Sequence, residues 1–241
     1  MKFLRYIFNF LEFKFSIILL ILFSLAGCKP DDMEFIIYSS DFFNSRNKKV
    51  IEIPVKITFS SFTQDKDNMF EKGVEAAKSY LSPDSTFSIS QGNYSKFLVI
   101  KTKFPLGDFD SINEYLKINS RLGYLIIKEN EITFMPTKKI KELNSILSDI
   151  DLFLDLDMPA RKTRFRIISD SEEPFGITAY SIWVSKAPYL KLEKKLKKRD
   201  EIEILFKGGD DSIWSQINPK ILFDSNNFLK VDEETKIESL F

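Results

Sequence analysis

The chain has 241 residues with 35 basic and 35 acidic side chains, one cysteine, 24 phenylalanines and no histidine. Without histidine there is no Ser-His-Asp or Cys-His catalysis and no histidine-ligated zinc or haem site. A balanced charge argues against a general nucleic-acid binder, which needs a clear basic excess.

The chain begins with Lys2, Arg5 and Lys14, then the apolar residues 15–25, then the small residues Ala26 and Gly27 and the lone Cys28. Charge, then apolar run, then small residues is the order of a secretory signal peptide. As a membrane span, residues 15–27 would make a helix of only about 20 Å against a hydrocarbon core of about 30 Å. Extending it toward Phe3 brings Glu12 and Lys14 into the bilayer at about 2.5–3.5 kcal/mol each. The uncleaved anchor is therefore the less favoured reading.

Leu25-Ala26-Gly27-Cys28 resembles the lipobox of bacterial lipoproteins. The resemblance covers only the first 28 or so residues and implies cleavage between Gly27 and Cys28, with a diacylglycerol on the Cys28 thiol. Cys28 would be the mature N-terminus, and its covalent lipid is expected in place of any cofactor. A lipidated cysteine cannot act as a nucleophile or close a disulfide. By the same resemblance Lys29, where an aspartate would retain the protein in the inner membrane, favours the outer membrane of a two-membrane envelope. Removing residues 1–27 leaves a small acidic excess and enough chain for one large domain or two small ones.

Residues 28–34 read as a tether reaching about 20 Å beyond the lipid. Residues 35–38 are apolar. Val50, Ile51, Ile53, Val55, Ile57 and Phe59 alternate with polar residues as a half-buried strand does, and Pro54 suggests an edge or a bulge. The spacing of Phe70, Val74, Ala77 and Leu81 predicts a helix over 67–81. Strands follow at 85–90 and 96–104, then a helix over 108–119 burying Phe109, Ile112 and Leu116, and a strand at 123–128. This order fits the split βαβ unit of a ferredoxin-like sandwich. A strand at 131–135 and a helix over 138–149 come next. Strands at 163–168, 177–184, 189–196 and 202–206 read as an antiparallel meander. The expected class is α+β: antiparallel sheets with about three helices, in units 35–128 and 129–223. Whether these are one domain stays open. Residues 224–241 form a polar tail.

Four stretches could carry chemistry or binding. Asp149, Asp151, Asp155 and Asp157 could offer oxygens to Ca²⁺, yet they lack the glycine of an EF-hand loop, and a helix running into an extended segment explains them more simply. Lys191, Lys194, Lys195, Lys197, Lys198 and Arg199 could face anionic headgroups or bind a partner, but a solvated, lysine-protected sheet edge is favoured. Arg164 and Arg166 share a strand face with Lys162 nearby, and the acidic run upstream is their simplest partner. Trp183 fits a core; Trp214, in a polar stretch, is the better surface candidate.

These readings converge on a membrane-anchored, non-enzymatic envelope lipoprotein that binds another envelope protein, with no nucleic acid and no metal. A lipid- or glycan-binding lipoprotein and a carboxylate-dependent hydrolase are the alternatives. The hydrolase would need two acidic groups facing each other across a cleft.

Overall fold

The computed structural model describes residues 32–45, 49–61, 69–92, 95–128, 130–150, 162–172, 174–207, 220–224 and 235–236. Gly27, Cys28, Asp151, Asp155, Asp157 and Trp214 lie outside the described residues, as does the side chain of Asp149.

β1 (Asp32–Tyr38) turns Met33, Phe35 and Ile37 to one face, all fully buried, and so takes in three residues that the sequence assigns to the tether. It leads directly into the short helix α1 (Ser39–Ser45). β2 (Ile51–Ser61) buries Ile53, Val55, Ile57 and Phe59 by the same alternation. Then come α2 (Met69–Ala77), β3 (Thr86–Gln91) and β4 (Lys96–Gly107). α3 (Phe109–Ile118) starts where the Asp108 carboxylate accepts the Ser111 N–H at 3.0 Å. It buries Ile112, but Phe109, expected inside, is 58 % exposed. β5 (Gly123–Lys128), β6 (Glu131–Pro136), α4 (Lys139–Ile150), β7 (Lys162–Ile168), β8 (Phe175–Val184), β9 (Ala187–Leu196), β10 (Glu201–Lys207), β11 (Lys220–Asp224) and β12 (Thr235–Lys236) complete the described strands and α-helices, and a single 3-10 turn (Lys78–Tyr80) follows α2.

All twelve strands belong to one mixed sheet, in the order β10-β7-β1-β2-β4-β5-β6-β11-β8-β9-β12, with β3 paired to β4 off this path. The expected α+β class is thereby corrected: the protein is mostly β, a single sheet curled into a half-barrel with four helices.

The ferredoxin-like expectation fails at an identifiable point. β2, β3 and β4 do pair as a split unit, with β4 antiparallel to both neighbours. The fourth strand of that fold would then lie along the free edge of β2. Here β1 already occupies that edge, with Phe35 opposite Val55, and β5 instead pairs in parallel with the end of β4. Nor is Pro54 on an edge strand. The β1 ladder stops at Val55, just before the proline that has no N–H to offer it.

The expected meander fails likewise, because only its β8–β9 hairpin forms. β7 pairs in parallel with β1, and β10 returns to β7 instead of β9. Opposite charges on the outer faces of β7 and β10 favour that return, as described below.

Phenylalanines on the inner face record the curl. In a flat sheet β1 and β6, four places apart, would be separated by about 19 Å. Yet the rings of Phe35 and Phe134 are 5.4 Å apart. Phe35 also stacks on Phe165 at 5.0 Å, Phe165 meets Phe206 at 5.1 Å, and Phe104 stacks on Phe134 at 6.0 Å. The described interior of the half-barrel is thus filled by side chains of its own walls, and α2 and α4 add Phe70, Ala77, Ile140 and Leu143 to the same core. Gly123 is required by this packing, since a Cβ there would lie 2.5 Å from the Phe134 ring. The curl also brings β8 to β10, where Leu205 faces Trp183.

Candidate functional site

The outer face of β1, β7 and β10 is the charged counterpart of the phenylalanine face. Side chains alternate along a strand, so Arg164 and Arg166 point outward while Phe165 and Ile167 point in. Arg164 donates to Asp32 at 2.9 Å and to Glu203 at 3.3 Å. Arg166 grips Glu201 with two bonds of 2.8 Å, which lowers the Glu201 pKa and raises its own. Their described partners therefore lie on neighbouring strands, and the acidic run upstream in sequence falls outside the described side chains.

A second group joins β2, α3 and the entry to β5. Arg121 is 6 % exposed, and its guanidinium donates to Glu52 at 2.8 Å, to the Tyr115 hydroxyl at 3.0 Å and to the Ser120 carbonyl at 2.8 Å. Tyr115 in turn donates its hydroxyl proton to Glu52. Burial, reinforced by that bond to Glu52, pushes the Tyr115 pKa up to about 12. The phenol is thus a fixed donor at neutral pH, and the group acts as a lock between three elements, not as an acid or base ready to move a proton. Sequence reasoning missed it: Glu52 and Arg121 are 69 positions apart, and no motif links them.

Two acidic groups do approach each other, at the start of α1. Asp170 accepts the hydroxyls of Ser39 at 2.7 Å and Ser40 at 2.5 Å and the Ser40 N–H at 2.9 Å. Burial alone would raise its pKa, but the bonds from Ser40 and Ser39 outweigh that and hold it below the usual range. Asp41 is raised, first by burial and further by the nearby Asp170 charge, against a bond from the Tyr38 N–H. Both Asp170 oxygens are taken by donors that tie α1 to the end of β7. This is a staple between two segments, with Asp170 standing in as a remote cap of α1.

The basic run divides in two. Lys194 lies opposite Ile177 and so shares the face of buried Leu192 and Leu196; an inward-directed lysine on an outer strand blocks edge-to-edge pairing. Among the described residues β9 is the last full-length strand of its end of the sheet, with only the two-residue β12 beyond it. Lys195 lies on the opposite face, and Lys197, Lys198 and Arg199 form the exposed turn into β10. Lys198 pairs with Glu172, and Lys191 with Glu193. Lys194, Lys195, Lys197 and Arg199 make no ion pair with a described residue.

Trp183 is partly buried beside Leu205. Among the described residues no group of three or more acidic, histidine or cysteine side chains is placed to hold a metal ion. No protein-family model, curated protein or solved structure matches this chain.

Proposed function

We propose that this chain is a lipid-anchored envelope protein whose body is held by Cys28 close to a membrane, where it binds another envelope protein without doing chemistry of its own. The observation that carries the reading is the sequence Leu25-Ala26-Gly27-Cys28 followed, four residues later, by β1. Four residues of chain reach at most about 14 Å. β1 is paired on both sides, to β2 and β7, so the segment that leaves the lipid enters the middle of the sheet at once. The body stands against the bilayer surface and not on a stalk. Two acyl chains give stable attachment where one gives only marginal binding. Among the described residues no helix is long and apolar enough to cross a membrane, so the lipid is the attachment this reading relies on. Lys29 after Cys28 favours the outer membrane where the envelope has two.

The non-enzymatic part rests on composition: there is no histidine, and the only cysteine carries the lipid. Replacement of Cys28 by alanine tests the anchor. The expected result is a protein that is released from membranes or accumulates at precursor size; unchanged mature size and unchanged membrane fractionation overturn the reading. Crosslinking the native protein in intact cells, with the Cys28→Ala form as unanchored control, should recover a defined envelope protein that the control loses.

A further inference from the structure

The lipid anchor proposed above holds one end of β1, and the sheet carries that polarity across to the basic turn. β7 runs parallel to β1, placing Thr163 beside Met33 and Ile168 beside Tyr38. β10 runs antiparallel to β7, with Lys207 beside Lys162 and Glu201 beside Ile168. The anchored end of these three strands therefore carries Asp32, Lys162 and Lys207, and the opposite end carries Tyr38, Ile168 and Glu201. The turn of Lys197, Lys198, Arg199 and Asp200 belongs to the opposite end. There Ser169 N–H donates to the Asp200 carbonyl at 2.9 Å and Arg199 N–H donates to the Ser169 carbonyl at 2.8 Å. Along β1 the two ends lie about 20 Å apart. With β1 upright on the membrane, the field of anionic headgroups, which decays within about 8–10 Å at physiological salt, does not reach a turn at the far end.

The turn is also held in shape. Asp200 N–H donates to the Lys197 carbonyl at 2.9 Å, and Lys197 N–H donates to the Asp200 carboxylate at 2.8 Å. Arg199 sits at φ 71°, a left-handed conformation that glycine or asparagine adopts more readily. Its side chain is exposed and pairs with no described residue. Backbone strain of this kind persists where the surroundings over-determine it, and here it holds the backbone of Arg199 in a turn whose exposed Lys195, Lys197 and Arg199 side chains pair with no described residue. The backbone of the turn therefore needs no ordering on binding.

We infer that Lys195, Lys197 and Arg199 form a docking surface, directed away from the membrane, for a carboxylate-rich segment of another envelope protein. The inference rests on the lipid-anchored reading and adds to it the side of the body that meets the partner and the charge that partner carries.

The test reconstitutes the full-length lipidated protein in vesicles of phosphatidylcholine alone and in vesicles rich in phosphatidylglycerol, and measures binding of poly-L-glutamate to protein floated with the vesicles. Equal binding on both vesicle types, weakened by salt, is expected. The combined Lys195→Glu, Lys197→Glu and Arg199→Glu variant should bind at least about tenfold more weakly. Arg199→Gly suits the backbone better, so it should weaken binding while its Tm stays level or rises, separating loss of the site from loss of the fold. Binding lost only on phosphatidylglycerol vesicles would place the turn against lipid, and binding untouched by the triple reversal would remove the site; either overturns the inference. A protein that does not float with vesicles, or a Cys28→Ala form that floats equally well, overturns the anchor itself and the inference with it.

Discussion

Two sets of cations in this molecule have opposite fates. Arg121, Arg164 and Arg166 are each met by a carboxylate from another element, and each ties together strands or helices that are distant in sequence. Lys195, Lys197 and Arg199 lie close together in the chain and meet no carboxylate among the described residues. The first set is explained by the fold it stabilises. The second is not, although Lys197 and Arg199 sit on a turn closed by backbone hydrogen bonds to Ser169 and Asp200. Basic residues that look alike in a sequence thus separate into structural and available ones only when their partners are known.

The largest effect that would sharpen this contrast is at Arg121. Arg121→Met leaves Glu52 and the Tyr115 hydroxyl without their buried donor and should lower unfolding stability by about 3 kcal/mol. A denaturant midpoint that drops at constant slope would show it. A drop below about 0.5 kcal/mol would mean the lock is not structural, and the contrast would lose one side. The same lock has a pH signature. Tyr115 is raised to about 12 in the folded protein, above its ordinary value of about 10 in the unfolded chain. Its contribution is complete below pH 10 and is lost as pH rises through 12. Absorbance titration should find one tyrosine ionising late, and Tyr115→Phe should abolish that late step.

Arg164 is less buried and bridges two carboxylates, so Arg164→Met should cost about 1 kcal/mol after allowance for solvent screening. At Arg199 the sign reverses. Arg199→Gly should raise stability by about 1 kcal/mol by relieving the left-handed backbone. A loss of stability there would show that the arginine side chain serves the fold after all. The smallest effect is at Lys197, where Lys197→Ala should change stability by no more than about 0.5 kcal/mol. Thermal unfolding of both variants beside the parent would check the pair.

Legibility in the sequence followed the range of the interactions. The alternation of Ile53, Val55, Ile57 and Phe59 marked the buried face of β2 correctly, and the spacing of Phe70, Val74 and Ala77 marked α2, because these patterns need only a local period. Phe109 misled because it falls on the periodic face but is the first residue of α3 and stays exposed while Ile112, one turn on, is buried. The ferredoxin-like and meander expectations failed for one reason. Alternation tells which residues share a face, but not which neighbour takes a strand's edge. β1, read as a tether with a short apolar run, claimed the edge of β2 and drew β7 beside it. At the candidate site, the basic run was visible as composition, whereas its division between Lys194 on the sheet edge and the turn beyond required the register of β8 and β9.

By itself the sequence determined the order of charged, apolar and small residues that ends at Cys28, the lack of any histidine and the local course of most described strands and helices, all of which depend on residue identity and short-range spacing. Only the tertiary structure decided that one curled sheet gathers every described strand, that Glu52, Tyr115 and Arg121 meet, and that the turn of Lys197 and Arg199 lies at the opposite end of β1 from Asp32. Those outcomes depend on pairing between segments tens to more than a hundred residues apart, which no local period encodes.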